Sequence, residues 1–367
     1  MNLSIGIVGL PNVGKSTLFN GLTKKSVLAA NYPFATIDPS VGVVAVPDER
    51  LGLLSDFSKS QKTIPAAVEF VDIAGLVKGA AEGQGLGNKF LSNIRECDAI
   101  LEVVRIFEDG DIIHVHNEIN PKKDIEVINL ELVLADLATV EKRLDSVSRD
   151  AKRGDKVAVA EEIAIRKIHQ VLKDGQLAST AKLTFEEEPL VKGLNLLTKK
   201  PILYALNKKS GGKNLDNTPS EKDSRFDEIV RYIALLGSSY VVVDAKTNEE
   251  VKDMEVEDRK TLLKDMGAAD SIDLMIKKSY ELLGLETYFT TGEDETRAWT
   301  IKKGSNAREA GAAIHTDFRD KFIRAEIIFW RDLLDSGSYA VARDKGLVRT
   351  EGKEYIVKDG DVIEFKI

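Results

Sequence analysis

The sequence predicts an α/β fold with a helical hairpin inserted into it and a small mixed module at its end, on three observations. Short apolar runs recur with helical stretches between them: Ile5–Val8, Val68–Asp72, Ala99–Val104, Ile202–Leu206 and Tyr240–Val243. Strands alternating with helices read as a parallel sheet and its crossovers. The first run opens into Gly9-Leu10-Pro11-Asn12-Val13-Gly14-Lys15-Ser16-Thr17, a G-x-x-x-x-G-K-[ST] loop, and then into a helical segment, Ser16–Leu22. Asp124–Ser148 and Lys156–Leu172 carry helical patterning, and Gly154-Asp155 between them makes a tight turn of the kind that joins antiparallel helices.

The loop is the most specific of these signals. Glycines at both ends let successive backbone N–H groups curl toward an anion, and the helix that follows adds its positive end. In a strand–loop–helix setting the pattern implies a nucleoside triphosphate site. Asn12, Val13, Gly14, Lys15, Ser16 and Thr17 are then expected on the phosphates. Lys15 would reach the β- and γ-phosphates and the Ser16 hydroxyl would ligate Mg²⁺. Asn12 leaves two readings open: its carbonyl oxygen could hold a K⁺ ion near the α- and γ-phosphates, or the residue could only stabilise the loop.

The following elements extend the site. Val27–Pro39, with two prolines and no helical repeat, reads as a loop. A nucleotide hydrolase carries its first switch there, with Thr36 on Mg²⁺ and the γ-phosphate; an ordinary surface turn is the alternative. Val41–Val46 reads as a strand stopped by Pro47-Asp48. Val68–Asp72 ends in Asp72-Ile73-Ala74-Gly75, which places Asp72 at a strand tip where it can hold a magnesium-bound water. Gly75 leaves room for a backbone N–H to approach the γ-phosphate. Ras-like GTPases carry the water-orienting Gln at the next position, and this chain has Leu76. Glycines at 79, 83, 85 and 87 suit a second switch. His114, after the strand Ala99–Val104, is a candidate to orient or deprotonate the attacking water in place of Gln, against packing or solvent exposure. Lys15, Gly75 and His114 are thus the expected catalytic groups.

Charge and cysteine content exclude some classes. Lys+Arg 52 against Asp+Glu 60 gives a formal charge of −8, so the chain as a whole is not a basic nucleic-acid binder. An RNA contact would need a local patch. Arg149, Lys152, Arg153 and Lys156 at the hairpin turn form one, which a solvated tip explains equally well. The single Cys97 excludes a disulfide framework within one chain and reads as a structural thiol at a helix–strand junction in a reducing compartment. No charged segment precedes an apolar one at the N-terminus, and no stretch approaches the roughly 20 apolar residues of a membrane span. A soluble cytoplasmic protein without a membrane partner is expected.

Ile202–Leu206 leads into Asn207-Lys208-Lys209-Ser210, the place of a guanine-reading N-K-x-D motif. In that motif Asn meets the base edge, Lys covers the base face, and Asp accepts from guanine N1–H and the 2-amino group. Ser210 stands where the carboxylate would be, so guanine loses its partner and either ATP or weak base selectivity is expected. Tyr240–Val243 leads into Asp244-Ala245-Lys246, the usual place for a loop under the base. In the C-terminal part, Arg297–Ile301 reads as a strand and Ala307–Phe318 as a helix. Tyr355–Val357 and Val362–Phe365 read as strands around Lys358-Asp359-Gly360-Asp361. The nearly balanced charge of this module favours docking to a protein or ribosome over nonspecific RNA binding. His315 reads as a contact residue or as a structural histidine at a helix end.

As an ordered set, Gly9–Thr17, the D-I-A-G-L of 72–76 with Gly83–Leu91, and Asp124–Asn129 resemble the YchF, or Obg-like ATPase, family over essentially the whole chain. The resemblance implies Mg²⁺-dependent ATP hydrolysis on a Ras-like P-loop NTPase fold, with a hydrophobic residue in place of the catalytic Gln. It also implies ribosome association, a coiled-coil insertion, and a C-terminal TGS domain of ubiquitin-like β-grasp shape. The family more often has an acidic residue where this chain has Ser210. The expected division is 1–120 with 199–281 for the nucleotide-binding domain, 121–198 for the insertion and 282–367 for the TGS domain, in a monomer that meets RNA through the hairpin tip and the TGS domain. A GTP-hydrolysing factor of the same fold is the nearest rival. A small-molecule phosphotransferase would carry an arginine-rich lid, and a scaffold with structural nucleotide would show no turnover.

Overall fold

The run Ala-Ile-Leu-Glu-Val-Val-Arg at 99–105 has no polar alternation, and all its residues are buried. Such a strand belongs inside a parallel sheet covered on both faces, and the computed structural model of the chain has it there. The structure describes residues 3–23, 40–73, 88–108, 119–216, 223–251, 254, 256–265 and 271–367. The first part runs β1 (Ser4–Val8), α1 (Lys15–Thr23), β2 (Val41–Ala45), α2 (Glu49–Ser58), β3 (Lys62–Ile64), β4 (Ala67–Asp72), α3 (Asn88–Glu96), β5 (Ala99–Arg105) and β6 (Phe107–Glu108). Then come α4 (Pro121–Lys152), α5 (Lys156–Lys173) and the short α6 (Glu188–Val191). The chain returns through β7 (Ile202–Asn207), β8 (Lys213–Asn214), α7 (Ser224–Leu235), β9 (Ser239–Val243), α8 (Ala245–Glu250), α9 (Val256–Asp265) and α10 (Ser271–Leu282). It ends with β10 (Leu285–Thr291), β11 (Glu295–Lys302), α11 (Ala307–Ile314), α12 (Thr316–Asp320), β12 (Arg324–Phe329), α13 (Trp330–Ser336), α14 (Tyr339–Asp344), β13 (Arg349–Glu351) and β14 (Asp361–Lys366).

Among the described residues, the first sheet has the order β2-β4-β1-β5-β7-β9. β1 pairs parallel with β4 and β5, and β7 pairs parallel with β5 and β9. β2 alone is antiparallel, Val41 lying opposite Val71 and Ala45 opposite Ala67. The chain fills one side of β1 with β2 and β4, then crosses to the other side. The loop after β1 therefore lies where the strand order reverses, the place where open α/β sheets bind ligands. Cys97 is buried between α3 and β5 and donates to the Asn93 carbonyl.

α4 begins where Pro121 fills its first position and Asn120 accepts the Lys123 N–H. Asp155 restarts the chain as α5 by accepting from the Val157 and Ala158 N–H groups. The two helices pack antiparallel through Val133, Val140 and Val147 on one side and Ile165, Ile168 and Leu172 on the other. Asp136, fully buried, ties α4 to the segment that re-enters the sheet by accepting from Leu197 N, Thr198 N and Thr198 Oγ1. The leucine pattern misleads in one respect. Leu130 and Leu134 are half exposed, while Ile125, Ile128 and Leu132 turn into the main core.

The second sheet has the order β13-β12-β14-β10-β11-β3. Its central pair, β10 and β14, is parallel; β10–β11, β12–β14 and β12–β13 are antiparallel. Two expected elements differ. The helix over Ala307–Phe318 breaks at His315, whose backbone is extended and whose Nδ1 accepts the Asp317 N–H to cap α12, so His315 is a helix-end residue. Tyr355–Val357 is no strand: it makes an isolated bridge at Ile356, and its N–H groups go to Gly352 and Ser305 carbonyls. The edge strand β3 comes from between β2 and β4 and pairs parallel with β11, Lys62 with Glu295 and Ile64 with Arg297. Around it, Ser60 Oγ donates to the Gly292 carbonyl and pairs with Thr296 Oγ1, and Arg50 joins Asp48 to Asp359.

Candidate functional site

The turn after β1 uses backbone that side chains rarely adopt. Gly9 has φ +150°, and a Cβ there would lie 2.5 Å from the Val103 carbonyl oxygen. Asn12 is left-handed at φ 61°. Gly14 has φ +99°, and its Cβ would lie 2.4 Å from Asn207 Nδ2. The chain then enters α1, whose first turn carries no acidic residue to compete with an anion. The result is a curled backbone ending on a helix N-terminus, the geometry that cradles phosphate. Val13 is buried beneath it, and Ser16 is exposed at the second position of the helix.

Lys15 folds back over the loop, its Nζ donating to the Leu10 carbonyl at 2.7 Å. Burial pulls its pKa down from 10.5 to about 8, with the Asp72 carboxylate working against that shift. Asp72 ends β4, its own N–H bonded to the Ser40 carbonyl. Burial raises the Asp72 pKa, and Lys15 opposes the rise. Asp72 Oδ1 is buried with no hydrogen-bond partner among the described residues. An orphaned carboxylate oxygen in this position calls for a donor, and a water on a divalent cation supplies one. Ser16 and Asp72 are thus the described residues that could hold such a cation, and the phosphate loop could hold the anion it neutralises.

Asn207 closes the site from below. Its Nδ2 donates to the Val13 carbonyl at 2.8 Å, and its Oδ1 accepts the Ala245 N–H at 3.0 Å. One buried carboxamide thereby joins the phosphate loop to the loop after β9. Lys208 is half buried, 3.6 Å from Asp216, with its backbone N–H on the Val243 carbonyl. Ser210 bonds the Asp244 carboxylate from both its N–H and its hydroxyl. The structure thus gathers Asn12 to Thr17, Asp72, Asn207, Lys208 and Ser210 around the ends of β1, β4, β7 and β9. Thr36, Gly75, Leu76 and His114 lie outside the described residues. Sequence reasoning gave Asp244 no role of its own. Its signal was an Asp at a strand end three residues before Thr247, the spacing of a helix N-cap.

Comparison with known proteins covers the whole chain. A family model described as a 50S ribosome-binding GTPase matches residues 4–136. A model for the C-terminal domain of YchF GTPases, described as a protein of unknown function, matches residues 285–367. The chain is 51% identical over 367 residues to the ribosome-binding ATPase YchF of Bacillus subtilis, covering 100% of this chain and 99% of that one. It is 46% identical over 366 residues to the protein of the same name from Escherichia coli O157:H7, covering 100% and 99%. The solved structure of the Schizosaccharomyces pombe YchF GTPase superposes with a TM-score of 0.89 at 38% identity, covering 100% of this chain and 98% of that one.

Proposed function

The chain belongs to the YchF family, and on that footing we propose that it is a Mg²⁺-dependent ATPase whose nucleotide state governs its association with the ribosome. One observation carries the reading: Lys15 folds back onto the curled loop of Gly9–Thr17, with the Asp72 carboxylate close enough to act on its charge. Ser16, and Asp72 through water, would hold Mg²⁺, which neutralises phosphate charge when bound. The loop N–H groups and Lys15 bind and orient the triphosphate, work that phosphoryl transfer asks of a protein more than covalent chemistry. Lys15 gains a proton-holding partner when phosphate arrives, because the anion offsets the burial that lowers its pKa. In the same reading Thr36 completes the Mg²⁺ shell, Gly75 donates to the γ-phosphate and His114 orients the attacking water. Asn12 is the K⁺ ligand of that reading. Asn207 and Lys208 lie against the base.

The ribosome enters because the Bacillus subtilis and Escherichia coli relatives are named ribosome-binding. Arg149, Lys152, Arg153 and Lys156 are exposed at the end of the helical pair, which supports RNA contact there. The order β11-β10-β14-β12-β13 around a parallel central pair supports reading 282–367 as a TGS domain of β-grasp shape. Residues 1–120 with 199–281 form the nucleotide-binding domain of this reading, and 121–198 the coiled-coil insertion. Among the described residues no helix is long and apolar enough to cross a membrane; a cytoplasmic monomer completes the proposal. A GTPase of the same build is the second reading. It is favoured by the Schizosaccharomyces pombe protein, which is named a GTPase, and by the GTPase family that residues 4–136 match.

The test is phosphate release from ATP and from GTP by the full chain, with Mg²⁺ or EDTA, with and without purified ribosomes. Mg²⁺-dependent ATP turnover and nucleotide-dependent co-sedimentation are expected. Turnover of GTP alone would replace the first reading by the second, and no turnover of either would sink both.

A further inference from the structure

Glu102 is the one acid in the apolar run of β5, and it is 1% exposed. Both its carboxyl oxygens are buried with no hydrogen-bond partner among the described residues. In the sheet it lies between Val8 of β1 and Tyr204 of β7. The first turns of α4 pack on this part of the sheet through Ile125, Ile128 and Leu132, and they bring the buried Asp124 to Glu102. Asn129 of the same helix lies beside the Tyr204 and Tyr232 hydroxyls. Among the described residues, the titratable groups that face Glu102 are therefore Asp124 of α4, Tyr204 of β7 and Tyr232 of α7. Lys122 and Glu126 of α4 act on Tyr232, and the Lys122 ammonium is paired with Glu228 of α7 at 2.9 Å.

A carboxylate taken out of water with neither a donor nor a cation beside it costs far more than a carboxylic acid in the same place, so such a group keeps its proton. Burial pushes Glu102 well above the usual 4.5, and the Asp124 charge pushes the same way. The unfolded chain gives up this proton near pH 4.5, while the folded chain holds it to higher pH. Stability at this place is thus full below that value and is lost as pH rises toward the folded value. The loss falls on one seam. β5 is held by backbone ladders on both sides, whereas the first turns of α4 are held to it by side-chain packing. Lifting those turns is the smaller motion that lets water reach Glu102. The next residue, Val103, backs the phosphate loop, since a Cβ on Gly9 would lie 2.5 Å from its carbonyl oxygen.

We propose that Glu102 is a proton-linked latch on the inserted helices: it holds a proton while α4 is seated on β5 and releases it to solvent when the first turns of α4 lift. Acid then favours the seated helix and alkali the lifted one, and the root of the insertion answers to pH beside the strand that backs the phosphate loop.

The experiment is hydrogen exchange of the full chain from about pH 5 to about pH 7, each variant being compared with wild type at the same pH so that the intrinsic pH dependence cancels. Glu102→Gln and Glu102→Leu have no proton to lose at this position. For the amides of 125–132, protection in wild type relative to either variant should fall by about tenfold per pH unit. The two variants should differ in absolute protection and agree in this slope, so either one gives the answer if the other folds poorly. Amides of α11, in the C-terminal part, should show no such slope. A wild-type-to-variant ratio that stays constant with pH would make Glu102 a packing residue and overturn the proposal. An equal slope in α11 would overturn it too, because the chain would then open as a whole and not at α4. The series is repeated with Na⁺, K⁺ or Mg²⁺ at constant ionic strength, and no change is expected. A cation that protects wild type and not Glu102→Gln would put that ion in the place of the proton, the third result against the proposal.

Discussion

The two six-stranded sheets of the described chain are held by different means. In the first, β5 and β7 are buried at every position, so packing on both faces sets their place. In the second, β11 and β12 each alternate toward solvent, and the outermost strand, β3, is lent by the other half of the molecule. The first sheet is a frame and the second is a surface that needs an edge supplied to it. The phosphate loop, Asp72 and Asn207 all stand on the frame. Contact between the two regions runs through a shared apolar core, where Leu51 and Leu54 of α2 cluster with Phe289, Ile328 and Leu333, and through polar pairs such as Ser60 with Thr296 and Arg50 with Asp359.

The frame is most sharply disrupted at Gly14. Gly14→Val puts a Cβ within 2.4 Å of Asn207 Nδ2 on backbone at φ +99°. Strain of this type costs roughly 1–3 kcal/mol before the displaced amide is counted. Affinity for a fluorescent ATP analogue should fall by about 100-fold; an unchanged affinity would mean that this loop does not hold phosphate. Asn207→Ala strands the Val13 carbonyl and the Ala245 N–H, and unpaired buried groups cost about 1–3 kcal/mol each. Urea denaturation should show a loss of about 2–4 kcal/mol, and a loss under about 1 would show that the brace is replaceable by water.

Lys15 gives a pH signature with opposite signs for folding and for binding. Its folded pKa of about 8 lies below its ordinary 10.5, so in that window the unfolded chain keeps a proton that the folded chain has released. This contribution to stability therefore rises with pH between those values. Phosphate favours the charged lysine, so triphosphate affinity should be flat below about pH 8 and weaken by up to about tenfold per unit above it. Calorimetry in buffers of different ionisation heat should show proton uptake on binding there. The same slope in a Lys15→Met chain would assign the effect elsewhere. The smallest effect is expected at the junction. Arg50→Ala removes partly exposed ion pairs to Asp48 and Asp359 and should cost about 1 kcal/mol or less. Its readout is hydrogen exchange: amides of β3 and β11 should lose protection while those of β5 and β7 keep theirs. Equal loosening throughout would show that the two regions open as one unit.

The parts of the molecule differ in how far their residues announce them. The phosphate loop is legible because close backbone approach excludes any side chain at Gly9 and Gly14, and few other residue patterns meet that demand. The apolar strands are legible for the same reason in reverse, since only apolar residues suit burial on both faces. Leu130 and Leu134 mislead because α4 changes partners along its length. Its first turns pack on the sheet through Ile125, Ile128 and Leu132, and its later ones on α5 through Val140 and Val147, so no single stripe describes it. Tyr355–Val357 has strand composition, but its backbone bonds go to turns and not to a ladder. β3 is three residues long with a partner far along the chain, and nothing local marks its destination. Asp244 was hidden because a carboxylate bonded inward is a matter of geometry between two loops.

The lent strand also sets a timetable for synthesis. Ser60 meets Thr296 across 236 residues of sequence. At about 5–20 residues per second the wait between making the two is on the order of 10–50 s. During that interval the strands that carry the phosphate loop can pair among themselves, while α2 and β3 stand beside them with an unfilled edge, the kind of surface that invites pairing with other chains. A nascent chain halted before β11 would thus carry a formed nucleotide cradle next to an open seam, which the later synthesis of β11 closes.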